Sequence, residues 1–117
     1  METNQALSAL AALAQDSRLR VFRTLVQAGP AGLAAGQIAD ITGIAPSSLS
    51  FHLKELSHAQ LLSSRQAGRF VIYTAQYDTM NALLAFLTEN CCGGNPCSAI
   101  GGTVCAVPAA SPSPQEL

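Results

Sequence analysis

The chain has 117 residues, 49% of them hydrophobic and 11% charged, with no tryptophan and a formal net charge of −1. That length fits one domain with an aliphatic core, and no apolar run approaches the ~20 residues of a bilayer-spanning helix. The near-neutral charge gives no sign of nucleic-acid binding but does not exclude it, because the distribution of charge decides.

Residues 4–14, NQALSALAALA, place Leu7, Leu10, Leu13 and Ala14 on one apolar face of a first helix. The N-terminal METNQALSAL lacks the basic region and apolar core of a secretory signal, so a cytoplasmic protein is expected. Asp16 or Ser17 caps a second helix, RLRVFRTLVQA, with Leu19, Phe22 and Val26 along one stripe and Arg18, Arg20 and Arg23 on other faces. Gly29-Pro30 stops it.

The run GLAAGQIADITGIAPSSLSFHLKELSHAQLL reads as helix, turn, helix. Ala35 to Thr42 form a short helix with Ile38 and Ile41 inward, and Gly43 supplies the turn. Pro46 or a flanking serine opens the next helix, which carries Leu49, Leu53 and Leu56 on one side. Leu62 to Gln66 and Phe70 to Ala75 are extended runs joined at Ala67-Gly68, a β-hairpin. Asp78 or Thr79 caps a last helix, MNALLAFLTEN, with Met80, Leu83, Leu84 and Leu87 on one side. The expected class is mainly α with a β-hairpin.

Stepping ~100° per residue from Leu49 leaves Ser47, Phe51, Lys54 and His58 opposite the buried side of the fourth helix, with Ser48 and Ser50 flanking. A helix after a tight turn, with hydroxyls and a lysine on its free face, suits a DNA major groove. The serines can donate to phosphate or base edges, Phe51 can pack on a thymine methyl, and Lys54 can reach phosphate or guanine. The hairpin then acts as a wing, whose Arg65 and Arg69 reach the adjacent backbone. The plainer alternative is a structural corner, with Phe51 packed under the hairpin or in a dimer contact. His52 sits at the border of the core face.

All four cysteines, Cys91, Cys92, Cys97 and Cys105, lie in NCCGGNPCSAIGGTVC, residues 90–105. In a reducing cytosol such a cluster binds metal or is redox-active rather than stapling the fold.

The segments LAALAQDSRLRVFRTL, GQIADITGIAPSSLSFHLKELSHAQLL and RQAGRFVIYTA resemble the ArsR/SmtB family of metal-responsive bacterial repressors, a likeness covering about residues 5–92. The resemblance implies a winged helix-turn-helix homodimer joined through its first and last helices. It also implies that effector binding releases operator DNA, an inverted repeat. One group in the family carries cysteines at the start of the first helix of the DNA-reading motif, where this chain has GLAAGQIAD. Another binds zinc through Asp, His and Glu of the last helices, where this chain has Asp78 and Glu89 but no histidine. A third carries adjacent cysteines at the end of the last helix and a third cysteine shortly after, and senses trivalent arsenic. ENCCGGNPC resembles that group, with Cys91, Cys92 and Cys97 as ligands.

Soft thiolates select thiophilic ions. As(III) and Sb(III) prefer three sulfurs in a pyramid, and CCGGNPC supplies three. Zinc wants four ligands. Cys105 is a fourth thiol across a long loop and is read as an auxiliary ligand or a free thiol. Arsenite, methylarsenite or antimonite is therefore the first expected inducer, redox sensing the second, and soft divalent metals such as cadmium or lead the third. A thiol buffer on a dimerising scaffold is a further class. No residue arrangement suggests catalysis, and the expected protein is not an enzyme. Its expected organisation is a DNA-binding and dimerisation domain at 1–90, an effector segment at 91–105 and a disordered tail at 106–117.

Overall fold

The computed structural model describes residues 1–90 and 93, so the expected effector segment lies outside the described residues except for Gly93, and the expected tail lies wholly outside them. The chain divides into two units, Met1–Asn81 and a second beginning at Ala82. Its elements are α1 (Thr3–Leu13), α2 (Asp16–Ala28), a 3-10 turn (Gly29–Ala31), β1 (Leu33–Ala34), α3 (Ala35–Thr42), α4 (Pro46–His58), β2 (Leu62–Ala67), β3 (Phe70–Ala75) and α5 (Tyr77–Leu87).

In α1 the alanines face inward. Ala6, Ala9 and Ala12 are buried, whereas Leu7 is 59% exposed and Leu10 39%. The expected leucine face is thus the outer one, with Leu13 half-buried and Ala14 exposed. The reason lies in helix spacing. α1 packs on α2 and α4, and small side chains at a crossing let two helices approach more closely than leucines do.

α2 is the central element, touched by α1, α3, α4 and β3. Its N-cap is Gln15, whose Oε1 accepts from the Arg18 N–H at 2.9 Å, rather than Asp16 or Ser17. It buries Val21, Phe22 and Leu25. Of the stripe read from the sequence, Phe22 is buried, Val26 is half-buried and Leu19 is exposed. With neighbours on several sides, the buried arc of α2 turns toward Val21 and Leu25, away from Leu19.

α3 has the expected bounds and buries Ile38 completely, but Ile41 is 62% exposed. α3 touches α2, α4, β1 and β3, and the buried arc is centred on Ile38, with Ile41 about 60° round the helix from it and outside that arc. α4 starts with Pro46 at its first position and buries Leu49, Leu53 and Leu56 as expected. His52 is buried outright instead of bordering the core, and its Nδ1 has no hydrogen-bond partner.

The sheet has three antiparallel strands in the order β1-β3-β2. The hairpin register pairs Leu62 with Ala75 and Ala67 with Phe70, so the turn is Gly68-Arg69, one residue later than the spacing suggested. β1 was not expected. It pairs Leu33 with Tyr73 and Ala34 with Ile72. Gly32, just before it, has φ +70°, and a Cβ there would run into the Tyr73 carbonyl oxygen and the Thr74 and Ile72 methyls. A side chain at residue 32 would hold the strand off β3.

α5 begins at Tyr77, so Asp78 lies in its first turn rather than capping it. Tyr77 Oη donates to the Val26 carbonyl at 3.1 Å, fixing the start of α5 to α2. Met80 is half-buried. In the second unit Leu83 is buried, while Leu84 and Leu87 are exposed.

Two glycines four residues apart give opposite expected outcomes. Gly32→Ala lowers unfolding free energy by about 2 kcal/mol or more, because the new methyl meets backbone at a left-handed φ. Gly36→Ala, in α3 with open space around it, raises it by about 0.5–1 kcal/mol. Urea titration of both variants checks the pair. His52→Leu removes an orphaned buried nitrogen and raises stability by about 1 kcal/mol in the same assay.

Candidate nucleic-acid interface

The leucine face of α4 is turned to the core, which settles what is left outside. Ser47, Ser48, Ser50, Phe51, Lys54 and His58 are all exposed. Phe51 is 55% exposed, so it packs under neither the hairpin nor any other described element. Its ring sits edge-on to the His52 ring, with centroids 5.7 Å apart. Ala45, the N-cap of α4, has no side-chain cap, and Pro46 has no N–H. The Ser47 and Ser48 amides therefore point out of the first turn at the positive end of the helix dipole, an arrangement that favours anionic oxygen.

The turn between α3 and α4 is fixed by several bonds. Gly43 adopts the left-handed conformation at φ 74°, ψ 12°, and its N–H donates to the Ala39 carbonyl at 2.8 Å. Thr42 Oγ1 donates to the Ile38 carbonyl at 2.8 Å and accepts the Ile44 N–H at 3.3 Å. Arg20 reaches across from α2 and donates Nη1 to the Thr42 carbonyl at 2.9 Å. Its Nε also meets Asp16 Oδ2 at 3.2 Å, an exposed pair of small energetic weight. The cation at the C-terminal end of α3 satisfies an orphan carbonyl and opposes the negative end of the helix dipole.

Arg18 does the same for α1, donating Nε to the Ala12 carbonyl at 2.7 Å. Neither role was read from the sequence. Both depend on where another helix ends in space, and only a cation two or four residues after a helix start hinted at them.

On the wing, Ser63 and Thr74 share a cross-strand hydroxyl bond of 2.8 Å. Arg65 is exposed, but its Nη2 donates to the Ala31 carbonyl at 2.9 Å, tying β2 to the 3-10 turn. Its Nε and Nη1 stay clear of that bond. Arg69 occupies the hairpin turn, exposed. Among the described residues neither Arg69 nor Lys54 makes a side-chain hydrogen bond or ion pair. Residues 41–77 carry Lys54, Arg65 and Arg69 against Glu55 alone, a net +2 in a chain of net −1. The segment holding the fourth helix and the wing is thus net cationic, as contact with a polyanion requires, and the other basic stretch is α2 with Arg18, Arg20 and Arg23.

The four cysteines, Cys91, Cys92, Cys97 and Cys105, lie outside the described residues. Among the described residues no three His, Cys, Asp or Glu side chains gather into a metal site. No described helix is long and apolar enough to cross a membrane.

The comparisons agree with this geometry. A family model described as a helix-turn-helix domain matches residues 13–65. The HTH-type transcriptional regulator YgaV of Escherichia coli K12 is 30% identical over 88 residues, spanning 75% of this chain and 87% of that one. Among solved structures, Mb0332 of Mycobacterium bovis is 27% identical, with a TM-score of 0.61 over 74% of this chain and 81% of that one. It is described as a homodimeric winged helix-turn-helix DNA-binding domain and a possible ArsR-family regulator. A possible transcriptional regulator for arsenical resistance is 25% identical, with a TM-score of 0.59 over 70% and 82% of the two chains. With this sequence kinship, the buried leucine face of α4, the Gly43 turn and the three-stranded wing have one common explanation: the chain belongs to the ArsR/SmtB family of helix-turn-helix transcriptional regulators.

Proposed function

We propose that this protein is a homodimeric, DNA-binding repressor that senses trivalent arsenic through Cys91, Cys92 and Cys97 and releases its operator on binding it. One observation carries the DNA-binding half of the reading. The free face of α4 presents three serines, Phe51 and Lys54 to solvent, held there by a fully buried leucine face. The dimer is supported by Leu7 and Leu10, exposed on α1 with no described cover, and by the homodimeric Mycobacterium bovis domain. Two α4 helices then enter successive major grooves, and the operator is an inverted repeat with half-sites ~34–36 Å apart.

The arsenic half is supported by the thiol count in CCGGNPC and by similarity to the regulator named for arsenical resistance. Arsenite enters as As(OH)3. Three thiols replace its three hydroxyls, three waters leave, and no electron is transferred. Antimonite reacts in the same way. Cys105 is the auxiliary thiol. The coupling to DNA needs only ~1–3 kcal/mol, and by linkage operator DNA weakens arsenite binding by the same factor.

Anisotropy of a labelled operator, titrated with arsenite, antimonite, cadmium, lead and peroxide in turn, tests the reading. Arsenite and antimonite are expected to release DNA, and Cys97→Ser to abolish release while keeping operator affinity. Normal release from Cys97→Ser, or release by peroxide alone, would sink the three-thiol site. For the reading face, Lys54→Gln is expected to weaken binding across sequences and to flatten the slope of log K against log salt by about 2 per dimer. Ser48→Ala combined with Ser50→Ala is expected to weaken operator binding at an unchanged slope.

A further inference from the structure

The wing carries a large apolar side chain that the fold does not use. Phe70 is 63% exposed. It is the first residue of β3 after the Gly68-Arg69 turn, and Ala67 opposite is too small to cover it. Residues 64–71 are all exposed, while Leu62 and Ala75 at the base of the hairpin are buried. Ile72 is half-buried and pairs with β1, so the outermost two residues of each strand stand clear of the core, by roughly 7 Å. A phenylalanine placed there gains little from folding.

Its surroundings say what it meets. Between Leu56 and Tyr77 there is no acidic residue, and Arg65 and Arg69 both lie in the hairpin. A polyanion suits that surface better than an apolar protein patch does. The cation inventory points the same way. In residues 41–77 only Lys54 and Arg69 are cations without an intramolecular bond among the described residues. Even counting Arg65, whose bond to a neutral carbonyl leaves its charge in place, three cations per protomer give a dimer a salt slope of only about −5.4, where a repressor making many phosphate contacts reaches about −10. Non-ionic contacts must supply the remaining affinity, and Phe51 and Phe70 are the two most exposed aromatic rings in the described chain.

We propose that Phe70 enters the minor groove as an apolar wedge beside Arg69, partly unstacking one base step and bending the operator. This rests on the reading of the wing as a DNA contact. Arg69 is drawn to the negative potential of a narrow groove, and the adjacent ring then opens a step, the action by which apolar side chains kink duplexes by roughly 20–90°. Flexible pyrimidine–purine steps under the wing tip are expected to be preferred, at positions α4 does not touch.

The probe is a duplex selected from random double-stranded DNA by the wild-type protein, end-labelled for energy transfer and carrying 2-aminopurine at the step beneath the wing. Phe70→Ala is expected to lose about tenfold in affinity. It is also expected to lose most of the bend and of the 2-aminopurine signal, with salt slope, melting temperature and dimer mass unchanged. Phe70→Leu, which keeps a wedge, retains most of all three, whereas Arg69→Gln flattens the salt slope. Wild-type affinity and bend in Phe70→Ala overturn the wedge, and if Arg69→Gln still flattens the slope the DNA reading stands without it. A change of dimer mass in Phe70→Ala overturns it in favour of a contact between copies. Failure of the wild-type protein to select any duplex overturns the DNA reading and the wedge together.

Discussion

Burial of Leu49, Leu53 and Leu56 along one side of α4 governs the rest of the molecule. A helix of 13 residues has one axis and one rotation about it. Once three leucines and His52 are committed to the core, the rotation is set, and Ser47, Ser48, Ser50, Phe51 and Lys54 have nowhere to go but outward. Each buried leucine is worth roughly 1.5–3 kcal/mol of transfer free energy. No local preference of a serine or a lysine is large enough to oppose that. The exposed face is therefore a consequence of the packing face and needs no contacts of its own to hold it.

The axis still has to be aimed, and that task falls to polar groups around the Gly43 turn. Thr42 closes the end of α3 on itself through Ile38 and Ile44, and Arg20 fastens the Thr42 carbonyl to α2. Arg18 and Arg65 hold two other chain ends in the same way. Three of the six basic side chains are thus engaged with backbone carbonyls. With half of its few cations bonded to backbone carbonyls, the chain offers a polyanion fewer unengaged cations than a strongly basic domain does.

Where periodicity was strong, the elements were legible. α3 and β3 have the bounds their residues suggested, and α4 buries the leucines its spacing marked. The misses share a cause. Hydropathy ranks leucine above alanine, so α1 was oriented by Leu7 and Leu10, yet a close crossing with α2 and α4 admits only Ala6, Ala9 and Ala12. Ile41 and Leu19 were turned inward for the same reason and found no neighbour waiting. β1 has two residues and no pattern at all; it exists because Gly32 lets the backbone slide against β3.

The amino-acid order alone determined the sequence of elements, the turn at Gly43, the free face of α4 and the gathering of four thiols after Asn90. These are local properties, written in side-chain period, in the conformations open to glycine and proline, and in covalent spacing. The tertiary structure decided which of two apolar faces α1 buries, which arginines serve carbonyls and which stay free, and that the wing tip stands clear of the core. Each of these depends on distances between segments far apart in the chain, and no repeat or motif in the sequence encodes such a distance.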